Sequence, residues 1–217
     1  VGSEMCIRDS MNTITSGFIR QCVVAFAMLA ALTVILGVAY PTVVWAASRV
    51  GSNSAEGSQV TDAKGCNAGS TLIGLDPKAP SGAADTFLHS RVLGSADDPM
   101  ATGDPAASAA SNQGPNSETL EHNIAARRAL IAQREGVEPS AVPADAVTGS
   151  GSGLDPQISP EYAAIQIPRI ARNTGKSESA IREVVDAHTS GRQWGFLGQE
   201  RVNVLEVNLA LGHTACK

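Results

Sequence analysis

The densest run of groups able to hold a ligand is Thr148-Gly149-Ser150-Gly151-Ser152-Gly153-Leu154-Asp155-Pro156. Glycines alternating with hydroxyls can turn backbone N–H groups toward an anion, as phosphate loops do. A nucleotide loop also needs a following Gly-Lys-Ser/Thr, whose lysine reaches the β/γ-phosphates and whose hydroxyl holds magnesium. That element is missing. The next helix start, at Ser159, comes several residues later, so its dipole is not aimed directly from the loop. A structural connector is the favoured reading.

Other chemistries find less support. The glycines around these serines sit two apart, so no Gly-x-Ser-x-Gly nucleophile turn exists, and there is no His-Glu-x-x-His pair for zinc catalysis. Histidines 89, 122, 188 and 213 are scattered. His188 falls on an apolar helix face, where a hydrogen-bonded core role outweighs a base or ligand. The Asp-Lys-Thr-Gly of a phosphorylated ion-pump subunit is also absent. Cysteines 66 and 216 have neither CxxC spacing nor a neighbouring histidine set, so no metal site is expected. They are either a disulfide, if the domain is exported, or two separate thiols. The chain does not read as an enzyme by itself.

The elements that carry these residues are legible from caps and periodicity. A helix starts after Asn116 or Ser117, with Glu118 and Glu121 near its positive end. It carries Leu120, Ile124 and Ile131 on one face and stops at Gly136. Ser159-Pro160-Glu161 opens a second helix that Pro168 kinks or splits and Gly175 ends. A third runs from about Glu178 to His188, capped by Ser177. Thr71–Leu75 suits a short strand, the Gly/Pro/Ser/Asp-rich stretch 76–115 reads as loop, and alternation over Val202–Leu211 favours a terminal strand over a helix.

The uncharged, mostly apolar run from Cys22 to Ser48 exceeds the roughly 20 residues that span a bilayer. A cleaved signal peptide is the alternative, but its apolar core is typically about 7–15 residues, so a retained anchor is favoured. Residues 1–10 contain Met5-Cys6-Ile7-Arg8-Asp9-Ser10, similar to translated adapter sequence. They read as a non-native leader, with Met11 as the start and 11–21 as a short tail. The Gly/Ser/Asn-rich stretch 49–69 reads as a flexible tether. Residues 70–217 then form one soluble domain, for an α+β fold with one N-terminal transmembrane helix. A net charge of −5 argues against a nucleic-acid surface. Export of the domain is the simplest topology.

Several motifs, in order, carry a family resemblance. They are Leu36-Gly37-Val38-Ala39-Tyr40-Pro41, Gly69-Ser70-Thr71-Leu72-Ile73-Gly74 and Ser111-Asn112-Gln113-Gly114-Pro115. Further on come Val142-Pro143-Ala144-Asp145-Ala146-Val147-Thr148, Gln166-Ile167-Pro168-Arg169-Ile170-Ala171, and Val185-Asp186-Ala187-His188-Thr189 with Gly191-Arg192. Arg201-Val202-Asn203-Val204-Leu205 and Asn208-Leu209-Ala210-Leu211 close the series. From about residue 18 to 211 the chain resembles the C subunit of the Kdp potassium-importing P-type ATPase. It departs at Leu75, where glutamine is usual, at Val92-Leu93-Gly94 in place of Pro-Ser-Ala, at Ser190, and in its longer tether. Those departures bear on the surface contacts of the first soluble segment.

The resemblance implies a non-catalytic subunit of a heteromeric pump in the cell inner membrane, and export past the one apolar segment puts its domain on the periplasmic or extracellular side. Its partners are a channel-like potassium-binding subunit, a P-type ATPase subunit and a small membrane peptide. It also implies a catalytic chaperone that raises the ATPase subunit's affinity for ATP. No cofactor is bound stably, and ATP enters only through the ATPase subunit. If contact with nucleotide is direct, Ser150, Ser152 and Gln166 are the candidate residues. A domain facing outward cannot touch cytoplasmic ATP and must act through the pump's conformational equilibrium. The alternative from another class is a secreted or membrane-anchored binding module unrelated to ion transport.

Overall fold

The computed structural model describes residues 2–95 and 97–215. They divide into two compact units, Val1–Glu56 and Gly57–Lys217. The first is helical: α1 (Gly2–Val34), a π-helical turn (Ile35–Ala39), α2 (Tyr40–Ser48), a 3-10 turn (Arg49–Gly51) and α3 (Ser52–Ala55). Within it, Ser16–Ala55 contains an apolar stretch long enough to cross a membrane, none of it buried by protein. Phe26, Leu29, Leu36 and Val43 all stand exposed, as a lipid-facing helix requires.

The π-helical turn has a cause in the sequence. Pro41 has no N–H to give the carbonyl four residues back, and its ring crowds that carbonyl. The helix widens just before it, and the Tyr40 N–H reaches back five residues to the Ile35 carbonyl. The Thr42 hydroxyl donates to Val38 O at 2.7 Å beside the break, supplying a donor where water is absent. Trp45 and Arg49, residue types that favour a membrane–water interface, follow the break. The Arg49 guanidinium sits 5.4 Å from the indole centroid and pairs with Glu56 at 2.6 Å.

The second unit is α+β. The stretch expected as a tether carries an antiparallel hairpin of β1 (Gln59–Thr61) and β2 (Asn67–Ser70). Asp62 closes its turn by accepting the Lys64 and Cys66 N–H groups, both at 2.9 Å. Thr71–Leu75, expected as a strand, follows β2 as a turn and irregular chain. Leu72, Ile73 and Leu75 stay largely exposed. Gly74 donates to Leu154 O at 2.8 Å, and a side chain there would collide with the Asp155 backbone.

The predicted helices form where their caps place them. Ser117, Ser159 and Ser177 each accept an N–H at the start of α4 (Glu118–Glu135), α6 (Pro160–Thr174) and α7 (Glu178–Ala187). Gly136 and Gly175 end α4 and α6 in the left-handed region. The helix α6 runs unbroken through Pro168, because Ile167, Arg169 and Ile170 on either side are all buried. Short α5 (Ala144–Val147) precedes β3 (Gln157–Ile158). A three-stranded antiparallel sheet has β5 (Arg201–Asn203) at its centre, between β3 and β4 (Thr189–Ser190).

The expected terminal strand is mostly helix. Only Arg201–Asn203 is extended; then Asn203 accepts the Glu206 N–H at 3.2 Å and α8 (Val204–Ala210) begins. The inward positions 204, 207 and 208 keep helical spacing, which the local cap selects over alternation.

The core gathers Ile131 of α4, Tyr162, Ile167 and Ile170 of α6, Ile181 of α7, Val202 of β5 and Val207 of α8. Its unusual member is Arg127, which is 2% exposed. It donates Nε to Pro99 O at 2.7 Å, Nη1 to Val147 O at 3.0 Å and Nη2 to Leu93 O at 2.7 Å. Gly94, at φ +75, leaves the space its guanidinium occupies. The departure at Val92-Leu93-Gly94 therefore reaches the interior: Val92 is buried and Leu93 binds Arg127.

Arg127→Leu strands one buried and two part-buried carbonyls and is expected to cost about 3 kcal/mol. For a chain of this size that is a fall of roughly 6–12 °C in Tm. Arg128→Gln, at a half-buried neighbour, is expected to change stability by less than about 0.5 kcal/mol. Thermal unfolding of the two variants in detergent checks this; equal Tm values contradict it.

Candidate functional site

The hydroxyl–glycine loop folds onto itself. Ser150 is buried, and its Oγ accepts from Ser152 N and Asp155 N, each at 3.3 Å. Ser152 Oγ accepts from Leu154 N at 3.1 Å, while its carbonyl takes the Ser108 hydroxyl at 3.0 Å. Arg91 bridges the loop to its neighbour, donating to Gly149 O at 3.0 Å and pairing with Asp155 at 2.8 Å. The N–H groups of Ser152, Gly153, Leu154 and Asp155 are thus turned toward the loop's own serines.

Gln166 lies elsewhere and is fully buried on α6. Its Oε1 accepts the His89 N–H at 2.8 Å and its Nε2 donates to His89 O at 3.1 Å. Its amide therefore mimics a strand partner, and in this conformation it offers no atom to a nucleotide. The three residues grouped as nucleotide contacts are not brought together as one ligand site.

What Gln166 does join is a buried polar cluster that sequence reading missed. On α8, Asn208 pairs with Leu88 as Gln166 does with His89, accepting its N–H at 2.7 Å and donating to its carbonyl at 2.9 Å. Arg169, one turn from Gln166, donates to Asp85 O at 2.9 Å and Phe87 O at 3.0 Å, and pairs with Glu135 at 2.8 Å. Glu135 also holds Arg134 at 2.6 Å, and Arg134 reaches the Tyr162 hydroxyl at 3.0 Å. The available signal was polar residues at 166, 169 and 208 interrupting apolar faces.

His89 sits inside this cluster between two carboxylates, Asp76 at 3.1 Å and Asp85 at 2.7 Å. Burial opposes its charging, but the hydrogen bonds to both acids prevail and raise its pKa above the ordinary 6.5. For Asp85 burial also works against ionisation. His89 and Arg169 outweigh it and lower the pKa from 3.8 to about 2. His188, expected in the core, is half-buried at the end of α7 with Nδ1 2.9 Å from Val184 O. Among the described residues no cluster of metal-ligating side chains occurs.

The outer feature is the loop joining β4 to β5. Gln193 and Leu197 exchange both backbone hydrogen bonds at 2.9 Å, closing a tight turn. Trp194 and Phe196 project from it, 84% and 69% exposed. Between the loop's root and Asp145 and Asp155 lies a cleft of about 390 Å³. Cys66 is disulfide-bonded, while Cys216, its partner under one of the two alternatives above, lies outside the described residues. Ala215 N donates to Asp62 Oδ2 at 2.7 Å, bringing the C-terminal segment to the turn that carries Cys66.

A single helix long and apolar enough to cross a membrane precedes a domain tied together inside, with aromatics on display. Residues 22–213 match the family described as K+-transporting ATPase, c chain (KdpC). A potassium-transporting ATPase KdpC subunit of Kineococcus radiotolerans is 39% identical over 212 residues, 94% of this chain and all of the relative. One from Geobacter sulfurreducens is 42% identical over 192 residues, 86% of this chain and 94% of the relative. One from a Caulobacter species is 44% identical over 184 residues, 82% and 86% respectively. The chain belongs to the KdpC family. It is an accessory subunit of a potassium-transporting ATPase, not the catalytic one.

The His89 pair fixes a pH profile. Its raised pKa contributes stability that is complete below the unfolded value of 6.5 and is lost as pH rises through the folded value. Asp85 contributes stability complete above 3.8, lost as pH falls toward about 2. Tm is therefore expected to be highest between those limits and to decline on the alkaline side. His89→Asn is expected to flatten that alkaline decline, and an unchanged slope counts against the assignment.

Proposed function

We propose that the chain is the non-catalytic anchor subunit of an ATP-driven potassium importer, with the Gly57–Lys217 unit on the outer side of the cell inner membrane. The observation that carries the outward placement is the disulfide at Cys66. Such bonds persist in the periplasm and are reduced in the cytoplasm. The apolar helix supports single-pass anchoring. Family membership sets aside a module unrelated to ion transport.

The proposed partners are the channel-like potassium-binding subunit, the P-type ATPase subunit and a small membrane peptide. The subunit raises the ATPase subunit's affinity for ATP without touching nucleotide. It binds one conformation of the assembly better than another, and the pump's own equilibrium carries the difference inward. A tenfold change in ATP affinity requires only about 1.4 kcal/mol of such preference. The self-bonded serines of the 150–155 loop and the buried Gln166 support this indirect route over direct contact.

Intact spheroplasts carrying a C-terminally tagged chain test the placement. Added protease is expected to remove the tag and leave a membrane-bound fragment. Protection until lysis reverses the topology and restores a direct nucleotide role. In the purified complex, removal of the Gly57–Lys217 unit is expected to raise the KM for ATP, and an unaltered KM rejects the coupling.

A further inference from the structure

We infer that the loop between β4 and β5 is a docking finger, inserting Trp194 and Phe196 into an apolar groove on another protein subunit of the pump. The inference rests on the accessory-subunit reading and names the element that makes the contact. Trp194, Phe196 and Leu197 are 84%, 69% and 42% exposed. They come from one short turn, within four residues of one another.

The turn is built to hold them out. The two Gln193–Leu197 backbone bonds close it, and Arg201 Nη1 donates to Gly191 O at 3.3 Å across its base. Trp194 adopts φ +51, a left-handed conformation that a bulky side chain rarely takes. Glycines 195 and 198, at φ +83 and +76, share the bend. A turn with its hydrogen bonds satisfied loses little freedom on binding, so its aromatic area converts efficiently into affinity.

Area and charge select the occupant. Two aromatic side chains bring roughly 300–500 Å² to a contact, about half of one side of a standard protein interface of ~800 Å². Trp anchors beside Arg are the usual centre of binding energy in such interfaces. An anionic lipid surface instead rewards clustered Lys and Arg. Around this finger Asp145, Asp155, Glu161, Asp186 and Glu200 outnumber Arg91, Arg182, Arg192 and Arg201. With near-balanced charge and no lysine among these residues, the surround fits an apolar protein groove rather than an anionic lipid surface.

The test uses the full chain, co-expressed with the other pump subunits in native membranes, with benzoylphenylalanine in place of Phe196. Irradiation is expected to give an adduct with another subunit, absent when the probe replaces the exposed Lys176. In parallel, the Trp194→Ala, Phe196→Ala double variant is expected to lose retention of the other subunits by roughly 30-fold or more, while its membrane level and Tm hold. Adducts with lipid or with a second copy of the chain overturn the proposal, as does a yield equal to the Lys176 control. If the unaltered chain retains none of the other subunits, the accessory-subunit reading itself fails, a result separate from a finger variant that assembles normally.

Discussion

A buried chain segment without helix or strand of its own must still find a partner for each main-chain N–H and C=O, and the Gly57–Lys217 unit is organised around that requirement. Between β2 and α4 no regular element occurs among the described residues, yet Leu88 and Val92 are as buried as any core side chain. The helices supply the missing partners from their side chains. Gln166 and Asn208 each pair with both backbone groups of one residue, while Arg127 and Arg169 gather the carbonyls of Asp85, Phe87, Leu93 and Pro99. His213 adds a bond to Thr86 O at 3.1 Å and stacks on Phe87 at 3.9 Å. A buried polar group left alone costs about 1–3 kcal/mol, so these side chains stand in for a sheet.

That arrangement explains what was legible in the sequence. Helices α4, α6 and α7 announced themselves through Ser117, Ser159 and Ser177 at one end and Gly136 and Gly175 at two of the others, because caps are local chemistry. The membrane helix was legible because bilayer thickness fixes a length. The pairing of Gln166 with His89, 77 positions apart, leaves no local trace. From one strand of text Gln166 looks like a polar residue available to a ligand, whereas the fold consumes it. The β1–β2 hairpin was hidden for a different reason: its Gly, Ser and Asn composition mimics a tether, and Asp62 alone closes the turn. Val202–Leu211 misled because β-branched residues fit both periods until Asn203 caps the helix.

The same economy bears on function. Polar groups that might have served catalysis, His89 with Asp76 and Asp85 or Arg169 with Glu135, are committed to holding the irregular segment in place. Two apolar features stand outside that scaffold: the Ser16–Ala55 helical stretch and the turn bearing Trp194 and Phe196. An accessory subunit needs a rigid body on an anchor more than a reactive centre. A rigid body is also what state-selective binding demands, since a domain that adapts to both pump conformations equally shifts neither.

Native-state hydrogen exchange on the full chain tests the side-chain scaffold most directly, read at the amides of Leu88 and His89. If Asn208 and Gln166 act as strand substitutes, both amides exchange as slowly as those of Ile170 and Val207, through opening of the whole unit. Exchange at the rate of the exposed loop around Ala106 contradicts the account, because the segment would then open without the helices that are said to hold it.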